Sequence, residues 1–289
     1  MPRYAYVNGR YMPHRQAATH IEDRGFQFAD GVYEVVACIE GHLADERGHL
    51  DRLERSLKEL KIAMPAPRRT ISHIMREVLR RNHFSNAALY IQVTRGVWKR
   101  DFAFPPANLK PSLIMTARPF KFADNPSRKT GLKAVTVPDI RWKRPDIKTT
   151  SLLAQAMAKQ EALSKGAQEA WLVDEKGFVT EGSSNNAWIV TDKGVLVTRP
   201  ATNEILRGVT RTALLTLKDI KFEERAFKPA EVYKAQEAFT SSATALIMPI
   251  VELDGRKIGN GKPGPITMRL YEAYMDYVRS RKAQVAWKA

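Results

Sequence analysis

Apolar residues recur along the chain with the spacing of helix faces. Two early series follow the helical period, one formed by Leu50, Leu53, Leu57 and Leu60 and the other by Ile71, Ile74, Met75, Val78 and Leu79. Similar spacing predicts three later helices, over about 150–165, 208–218 and 266–281. In the last of these helices, Leu270, Ala273, Tyr274, Tyr277 and Val278 share one face.

Runs of β-branched and aromatic residues predict those strands. Asn8-Gly9 separates the first two runs and is a strong hairpin signal. The predicted strands cover 4–7, 11–13, 31–39, 42–44, 88–94, 113–117, 132–137, 170–173, 187–190 and 195–197. Strands and helices alternate throughout, which indicates an α+β unit followed by an α/β unit.

A change of composition over 119–130 divides the chain. This stretch holds two prolines together with Asn, Asp and Ser, which is typical of a linker. The predicted organisation is a small N-terminal α+β domain over 1–118, a linker over 119–130 and a larger C-terminal α/β domain over 131–289.

The composition is that of an ordinary folded protein. Of 289 residues, 44% are hydrophobic and 27% charged, which excludes collagen-like and intrinsically disordered chains. Cys38 is the only cysteine, so a disulfide within the chain and a multi-cysteine metal site are excluded. No apolar run approaches the ~20 residues that span a bilayer, and residues 1–5 lack a signal-peptide core. We expect a cytoplasmic protein with no membrane partner.

The basic residues are numerous but dispersed. Lys and Arg number 47 against 31 Asp and Glu, a formal net charge of +16. Most occur as short pairs along the whole chain, such as Arg68-Arg69 and Arg80-Arg81, so we expect a solvated basic surface and no nucleic-acid partner. A tighter cluster favours a pocket for an anionic small molecule, and it comprises Arg141, Lys143, Arg144 and Lys148 around Trp142.

The sequence has a GxGxxG pattern in the wrong context for a dinucleotide site, and it lacks the histidine spacing of a zinc site. The run Gly259-Asn-Gly-Lys-Pro-Gly264 matches GxGxxG, but it lies near the C-terminus with prolines in it and beside it. A dinucleotide loop must follow a strand and open a helix, so a plain turn is the better interpretation. The six histidines lack zinc-ligand spacing, and we expect no metal.

Four polar segments are hard to explain by packing. They cover 22–34, 49–53, 139–151 and 179–186. Together they resemble the fold-type IV aminotransferases that use pyridoxal 5′-phosphate (PLP), most closely the D-amino-acid aminotransferases. The resemblance runs from 6–9 to 249–255 and is strongest over 24–36, 139–148 and 180–185. It implies a two-domain fold with the cofactor between the domains.

The resemblance implies roles for two groups at the reacting centre. Lys148 matches the lysine that holds PLP as a Schiff base and moves the proton between the substrate Cα and the cofactor. That amine must be neutral part of the time, which burial or nearby cations such as Arg141 and Arg144 would favour. Glu181 matches the carboxylate that pairs with the pyridine nitrogen and makes the ring an electron sink. From the residues alone, an exposed hairpin glutamate is an equally good interpretation of Glu181.

The resemblance also assigns the rest of the cofactor site. Arg52 matches the arginine that binds the phosphate, although an ordinary surface arginine would also fit between Asp51 and Glu54. Backbone donors and hydroxyls at the start of a helix suit an anion. The residues assigned to the cofactor are Lys148, Glu181, Arg52, Val209, Thr210, Ser241, Ser242 and Ser184.

The resemblance weakens at the substrate end. The related enzymes hold the substrate carboxylate with a tyrosine, an arginine and a histidine, the last two from the neighbouring subunit. Tyr33 and Arg100 match the first two, but Phe102 stands where the histidine is expected and cannot donate a hydrogen bond. Asp101 is expected to compete for Arg100 as an ion pair, and Arg24 is a candidate substitute ligand for the carboxylate.

The resulting hypothesis is a PLP-dependent aminotransferase that works by a ping-pong mechanism. A D-amino acid such as D-alanine leaves its nitrogen on the cofactor, and 2-oxoglutarate or pyruvate then takes it. The alternatives are an (R)-selective amine transaminase, a branched-chain L-amino-acid aminotransferase and 4-amino-4-deoxychorismate lyase. A basic nucleic-acid-binding protein is the alternative from another class. Because partner residues complete the related sites, a homodimer is expected.

Overall fold

The computed structural model describes residues 3–217 and 221–280. The chain forms two compact units. The first comprises described residues 3–121, 147–151 and 278–280, and the second comprises 122–146 and 152–277 with its described residues. Over these residues, none of the helices has the length and apolar content needed to cross a membrane.

The first unit is built on a six-stranded sheet in the order β2-β1-β6-β5-β3-β4, with all neighbours antiparallel. Its strands are β1 (Tyr4–Val7), β2 (Arg10–Pro13), β3 (Gly31–Ile39), β4 (His42–Leu43), β5 (Ala87–Thr94) and β6 (Ser112–Pro119). Its helices are a 3₁₀ turn (His14–Gln16), α1 (Arg24–Phe28), α2 (Glu46–Glu59) and α3 (Arg68–Asn82).

The two long helices of this unit cover its sheet. Leu53 and Leu57 of α2 and Ile71 and Met75 of α3 are fully or almost fully buried in one core with the sheet residues, as their spacing predicts. Ile147, which precedes the candidate lysine, belongs to the same core. The segment that carries Lys148 is therefore anchored to this unit by apolar burial.

The second unit is built on a mixed nine-stranded sheet in the order β12-β11-β10-β13-β14-β7-β8-β9, with β15 paired to β14. Its strands are β7 (Leu132–Pro138), β8 (Glu169–Val173), β9 (Val179–Gly182), β10 (Asn186–Val190), β11 (Leu196–Thr198), β12 (Phe222–Glu224), β13 (Glu237–Ser242), β14 (Leu246–Leu253) and β15 (Arg256–Lys257). The remaining helices are α4 (Ser127–Thr130), α5 (Leu153–Ser164), α6 (Val209–Leu214), α7 (Pro229–Val232) and α8 (Pro265–Ser280).

Parallel pairing in this sheet follows the βαβ rule. Strands β7 and β8 are parallel, and the chain between them forms α5, which packs Ala158 and Ala162 against Val135 and Leu172. A parallel pair cannot be closed by a tight turn, so the crossover helix is required. The first loop of this crossover, after β7, carries Asp139 and Arg141.

The predicted periodic elements are confirmed, with ends that move by a few residues. The helix predicted over 208–218 covers only Val209–Leu214, and its predicted end at Lys218 lies outside the described residues, as does Arg281 of the last helix. The interpretation of Gly259–Gly264 as a turn is also confirmed, since Gly259 and Gly261 have positive φ angles of 53° and 73°.

The division into units differs from the predicted boundaries in two places. Residues 122–130 belong to the second unit, because the buried Arg128 stacks on the Tyr271 ring at 3.9 Å and donates to the Ile247 carbonyl at 3.5 Å. Residues 147–151 belong to the first unit, whereas the sequence prediction placed Lys148 in the C-terminal domain. Chain order could not show this, because Ile147 belongs to a core whose other buried members lie between 30 (Ala117) and 115 (Val32) positions earlier.

Candidate active site

Lys148 is fixed against the start of β3 in the first unit. The Tyr33 N–H donates to the Lys148 carbonyl at 3.0 Å, and the Thr150 N–H donates to the Gly31 carbonyl at 3.0 Å. The Lys148 Nζ donates to the Tyr33 hydroxyl at 3.3 Å and lies 4.3 Å from the centre of its ring. The backbone is thus held on both sides of a partly buried amine, and Tyr33 orients that amine.

Next to Tyr33, β3 carries a carboxylate that the sequence reasoning did not assign. Glu34 is fully buried and accepts from Arg52 at both oxygens, each at 2.7 Å, and from the His49 ring at 2.7 Å. Burial alone would raise the Glu34 pKa, but Arg52 and His49 outweigh it and lower that pKa from 4.5 to about 2. Arg52 is consequently held as a cation at a fixed position on α2.

A second group of charges in this unit surrounds Asp30. Arg24 is 3% exposed and donates through Nε to Asp30 at 2.7 Å. Arg95 donates to the same carboxylate at 2.7 and 3.0 Å and to the carbonyls of Leu60 and Lys61 at 2.8 and 3.0 Å. Arg24 is therefore part of a buried ion-pair network.

The predicted substrate residues Arg100 and Phe102 lie on an exposed segment. The Phe102 side chain is 84% exposed, and its ring centre lies 5.6 Å from that of Phe28. The Arg100 guanidinium stacks on the same Phe28 ring at 4.8 Å. Asp101 had been expected to pair with Arg100, but its carboxylate accepts instead from the Ala103 N–H at 3.1 Å.

In the second unit, Glu181 is a buried residue of β9 rather than an exposed hairpin residue. Its Oε1 accepts from Arg141, and its Oε2 accepts from the Asn186 side-chain amide at 3.0 Å and the Leu206 N–H at 3.2 Å. The sequence showed no basic neighbour because Arg141 lies 40 positions away along the chain. Three donors from three segments thus hold one carboxylate at 5% exposure.

The described partners of Arg141 are acidic groups of the second unit. Besides Glu181, it donates to Asp139 at 2.9 and 2.6 Å. Burial raises the Asp139 pKa, but hydrogen bonds from Arg141 and Thr180 outweigh it and hold that pKa below its usual value. Burial likewise opposes the charge of Arg141, yet Asp139 and Glu181 raise its pKa. The guanidinium therefore forms ion pairs with both Asp139 and Glu181.

The remaining predicted cofactor residues lie in or beside β9, α6 and β13. Thr210 and Ser241 are buried, Val209 and Ser242 are partly exposed, and Ser184 is exposed. Gly208 precedes α6, and a Cβ at that position would stand 2.0 Å from the Asn186 Oδ1. The backbone of 208–210 can therefore lie against Asn186 only because residue 208 has no side chain.

The sequence contains signals for two of the residues that were missed. Glu34 is the one charge in the otherwise apolar strand 31–39, and a buried carboxylate needs a cationic partner. Asn186 ends the polar run 179–186 and opens the apolar strand that follows. Asp139 and Arg141 were quoted in a matched segment, but only the folded chain shows that they contact Thr180 and Glu181.

The two groups of residues fit PLP chemically. The first unit offers a partly buried lysine amine and a fixed arginine. The second offers a buried carboxylate paired with Arg141, which suits a protonated pyridine. It also has a glycine at position 208, beside the Thr210 hydroxyl, where no side chain blocks access to the backbone. Elsewhere in the described ranges, no group of three or more His, Cys, Asp or Glu could hold a metal ion.

Comparison with known proteins agrees with this chemistry. Residues 31–253 match the family model described as amino-transferase class IV. The chain is 36% identical over 284 residues to the D-alanine aminotransferase of Staphylococcus haemolyticus, covering 96% of this chain and 99% of the relative. It is also 36% identical over 280 residues to the D-alanine aminotransferase of Bacillus licheniformis, covering 96% and 98%.

Solved structures show the same fold. The branched-chain amino acid aminotransferase of Escherichia coli superposes with a TM-score of 0.87 at 26% identity, covering 96% of this chain and 94% of that chain. A branched-chain aminotransferase from the archaeon Thermoproteus uzoniensis, solved with norvaline, gives a TM-score of 0.86 at 28% identity, covering 99% and 98%.

Proposed function

The chain belongs to the class IV aminotransferases, and from this premise we propose how its residues carry out PLP-dependent transamination. It has the fold-type IV architecture and is an enzyme that transfers an amino group between a D-amino acid and a 2-oxo acid. The near-complete match to two D-alanine aminotransferases is the observation that carries the choice of D-amino acids.

Lys148 is proposed as the residue that holds the cofactor and moves the substrate proton. Bound PLP supplies an aldehyde carbon that accepts the amino group and a ring that withdraws electrons from the substrate Cα. The Lys148 Nζ takes the proton from that Cα as a general base. Its hydrogen bond to the Tyr33 hydroxyl keeps the amine pointed along one direction, so little reorientation is needed before proton transfer.

Glu181 is proposed as the partner of the pyridine nitrogen. Arg141, Asn186 and the Leu206 N–H hold its carboxylate in one orientation, and Arg141 also forms an ion pair with it. An ionised acceptor favours a protonated ring nitrogen, and that proton makes the ring a better electron sink. Asn186 also donates to the Leu206 carbonyl at 2.9 Å, which ties the loop before α6 to this carboxylate.

Cations and hydroxyls are proposed for the phosphate. Arg52 supplies a guanidinium whose position Glu34 fixes through two hydrogen bonds. The second unit contributes hydroxyl and backbone donors at Ser184, Val209, Thr210, Ser241 and Ser242. The Ser241 hydroxyl already accepts from the Trp188 indole at 2.9 Å, so its proton can point towards an anion.

Tyr33 and Arg100 are proposed to bind the substrate carboxylate. Arg100 lies on an exposed segment and is stacked on Phe28, so its N–H groups stay available at the edge of the stack. In the related enzymes, this arginine serves the neighbouring subunit, and we propose the same homodimer for this chain. The Arg24 side chain is buried against Asp30, which does not support its earlier candidacy as a carboxylate ligand.

One observation favours a second candidate activity. Phe102 replaces the expected histidine and presents an 84% exposed aromatic ring, which removes a donor to the carboxylate and adds apolar surface. Such a change favours donors without a carboxylate, as used by an (R)-selective amine transaminase. The solved branched-chain relatives support L-leucine as a third donor to test.

Steady-state transamination with three donors tests the proposal. D-Alanine, (R)-1-phenylethylamine and L-leucine are each supplied with 2-oxoglutarate, and the keto product is measured. We expect the highest kcat/KM with D-alanine. A preference for the amine or for L-leucine would contradict the choice of D-amino acids. Product release that needs no 2-oxo acid would instead identify lyase chemistry.

A further inference from the structure

The segment 100–104 carries Arg100, yet it has no regular secondary structure of its own. It lies in the connection between β5 and β6, and all five of its side chains are exposed. Within the segment, only the turn closed by Asp101 on the Ala103 N–H restrains the backbone. An exposed connection of this kind is mobile unless side chains from ordered elements hold it.

The Arg24 side chain of α1 contacts the backbone of this segment. Its Nη1 donates to the Asp101 carbonyl at 2.6 Å and to the Ala103 carbonyl at 3.4 Å. Its Nε is committed to Asp30 at 2.7 Å, so the guanidinium cannot turn away from the segment without breaking a buried ion pair. One planar group therefore joins the Asp30 carboxylate, directly before β3, to two backbone carbonyls that flank Phe102.

Aromatic contacts reinforce the same attachment. The centre of the Phe28 ring lies 4.7 Å from the Arg24 guanidinium and 4.8 Å from the Arg100 guanidinium. The Phe102 ring also packs against Phe28. Phe104 is covered by Arg95 at 3.8 Å. Arg24 and Arg95 both pair with Asp30. The buried Asp30 carboxylate therefore fixes the two arginines that contact the segment.

We propose that Arg24 is a positioning residue for the segment 100–104 and thereby sets where Arg100 meets the substrate carboxylate. This inference rests on the proposed function of Arg100. A lysine at position 24 keeps the charge and can pair with Asp30, but a single ammonium cannot reproduce the fork that bonds the carboxylate and the segment together. Without the hydrogen bonds from the Arg24 Nη1 to the carbonyls of Asp101 and Ala103, the segment and its Arg100 side chain take up many positions rather than one.

The test compares Arg24→Lys, Arg100→Met and the double variant in the PLP-loaded enzyme. Because a misplacement of about 1 Å in a binding group can cost up to about a hundredfold, we expect Arg24→Lys to raise the KM for D-alanine about tenfold. Its kcat and PLP affinity stay within about twofold of the native values, since Lys148 and Glu181 are untouched. Arg76→Lys, which disturbs a paired Arg76–Glu46 contact in the same unit, is the matched control and leaves the KM unchanged.

The double variant decides whether Arg24 acts through Arg100. If it does, adding Arg24→Lys to Arg100→Met raises the KM no further than Arg100→Met alone. Additive effects, or equal losses in KM, kcat and PLP affinity, would overturn the proposal. If Arg100→Met itself leaves the KM unchanged, the function proposed for Arg100 is wrong, and the effect on substrate binding inferred for Arg24 falls with it.

Hydrogen–deuterium exchange provides a readout that does not depend on activity. We expect the peptide covering 100–104 to exchange faster in Arg24→Lys than in the native protein or in Arg76→Lys, while α2 and α3 are unaffected. Unchanged exchange in 100–104 would overturn the anchoring role of Arg24 whatever the kinetics show.

Discussion

Glu34 contributes both to the stability of the fold and to the position of Arg52 in the proposed site. Its carboxylate is fully buried, where Arg52 balances its charge and the His49 ring donates a further hydrogen bond. A buried ion pair that loses one partner leaves an uncompensated charge. The residue that is proposed to meet the cofactor phosphate is thus held by a group with no contact of its own to solvent.

We predict that Glu34→Gln destabilises the protein in a pH-dependent way. The Glu34 pKa falls from 4.5 to about 2 on folding, so its contribution of about 3 kcal/mol is complete above pH 4.5 and is lost as the pH falls towards 2. Urea unfolding of both proteins at neutral pH and at successively lower pH measures this difference, which should shrink on acidification. The exposed-site control Glu175→Gln should stay within about 0.5 kcal/mol of the native protein. A loss that does not depend on pH would contradict the assignment.

At the scale of elements, the start of α6 and the end of β9 are coupled through one amide. The Asn186 side-chain amide donates to Glu181 and to the Leu206 carbonyl. Its Oδ1 lies where a Cβ on residue 208 would be placed. A methyl group on residue 208 must push the Asn186 amide away, and that movement breaks both of its hydrogen bonds. The loop before α6 and the carboxylate on β9 therefore depend on a glycine.

We predict that Gly208→Ala weakens PLP binding. Loss of a hydrogen bond to a charged group costs about 1.5–3 kcal/mol, so the Kd for PLP should rise at least about tenfold. Titration of the apoprotein with PLP, followed by absorbance, measures it. Asn186→Ala should give a similar loss, and the double variant should add little because both changes remove the same contacts. Native affinity in Gly208→Ala would refute this coupling.

The secondary-structure elements also show which parts of the fold could be predicted from the sequence and which could not. Helices α2 and α3 and strands β3 and β5 were predicted because their apolar periods are long and uninterrupted. Strand β14 was not predicted, although it is central, because Pro249 interrupts its apolar run and cannot donate to a neighbouring strand. Strand β9 was missed because Glu181 and Thr180 make it polar, and their burial depends on Arg141 and Asp139.

For the site, the matched segments predicted residue identities but not their partners. The roles of Lys148, Glu181 and Arg52 came from the resemblance and stay predictions. The contacts that support them, Tyr33 with Lys148, Arg141 with Glu181 and Glu34 with Arg52, join positions 115, 40 and 18 apart. No local pattern carries such information, because these contacts form only when separate elements pack.

At the scale of the whole molecule, the residues proposed for the cofactor are distributed over both units. The first unit holds the Lys148 amine and Arg52, and the second holds the Glu181 carboxylate and the proposed serine and threonine donors. Surface arginines such as Arg68, Arg80 and Arg225 pair with neighbouring carboxylates, in agreement with a solvated basic surface. The cytoplasmic location inferred from composition stays a prediction.

The visible absorption spectrum of the purified protein tests the central claim most directly. PLP held by Lys148 should give an absorption band that is lost on addition of D-alanine and persists with L-leucine, and Lys148→Ala should lack both the band and the response. This result would establish the cofactor, its lysine and the handedness of the donor together. A native protein that shows no band even after PLP is added, or a band that only L-leucine removes, would contradict the account.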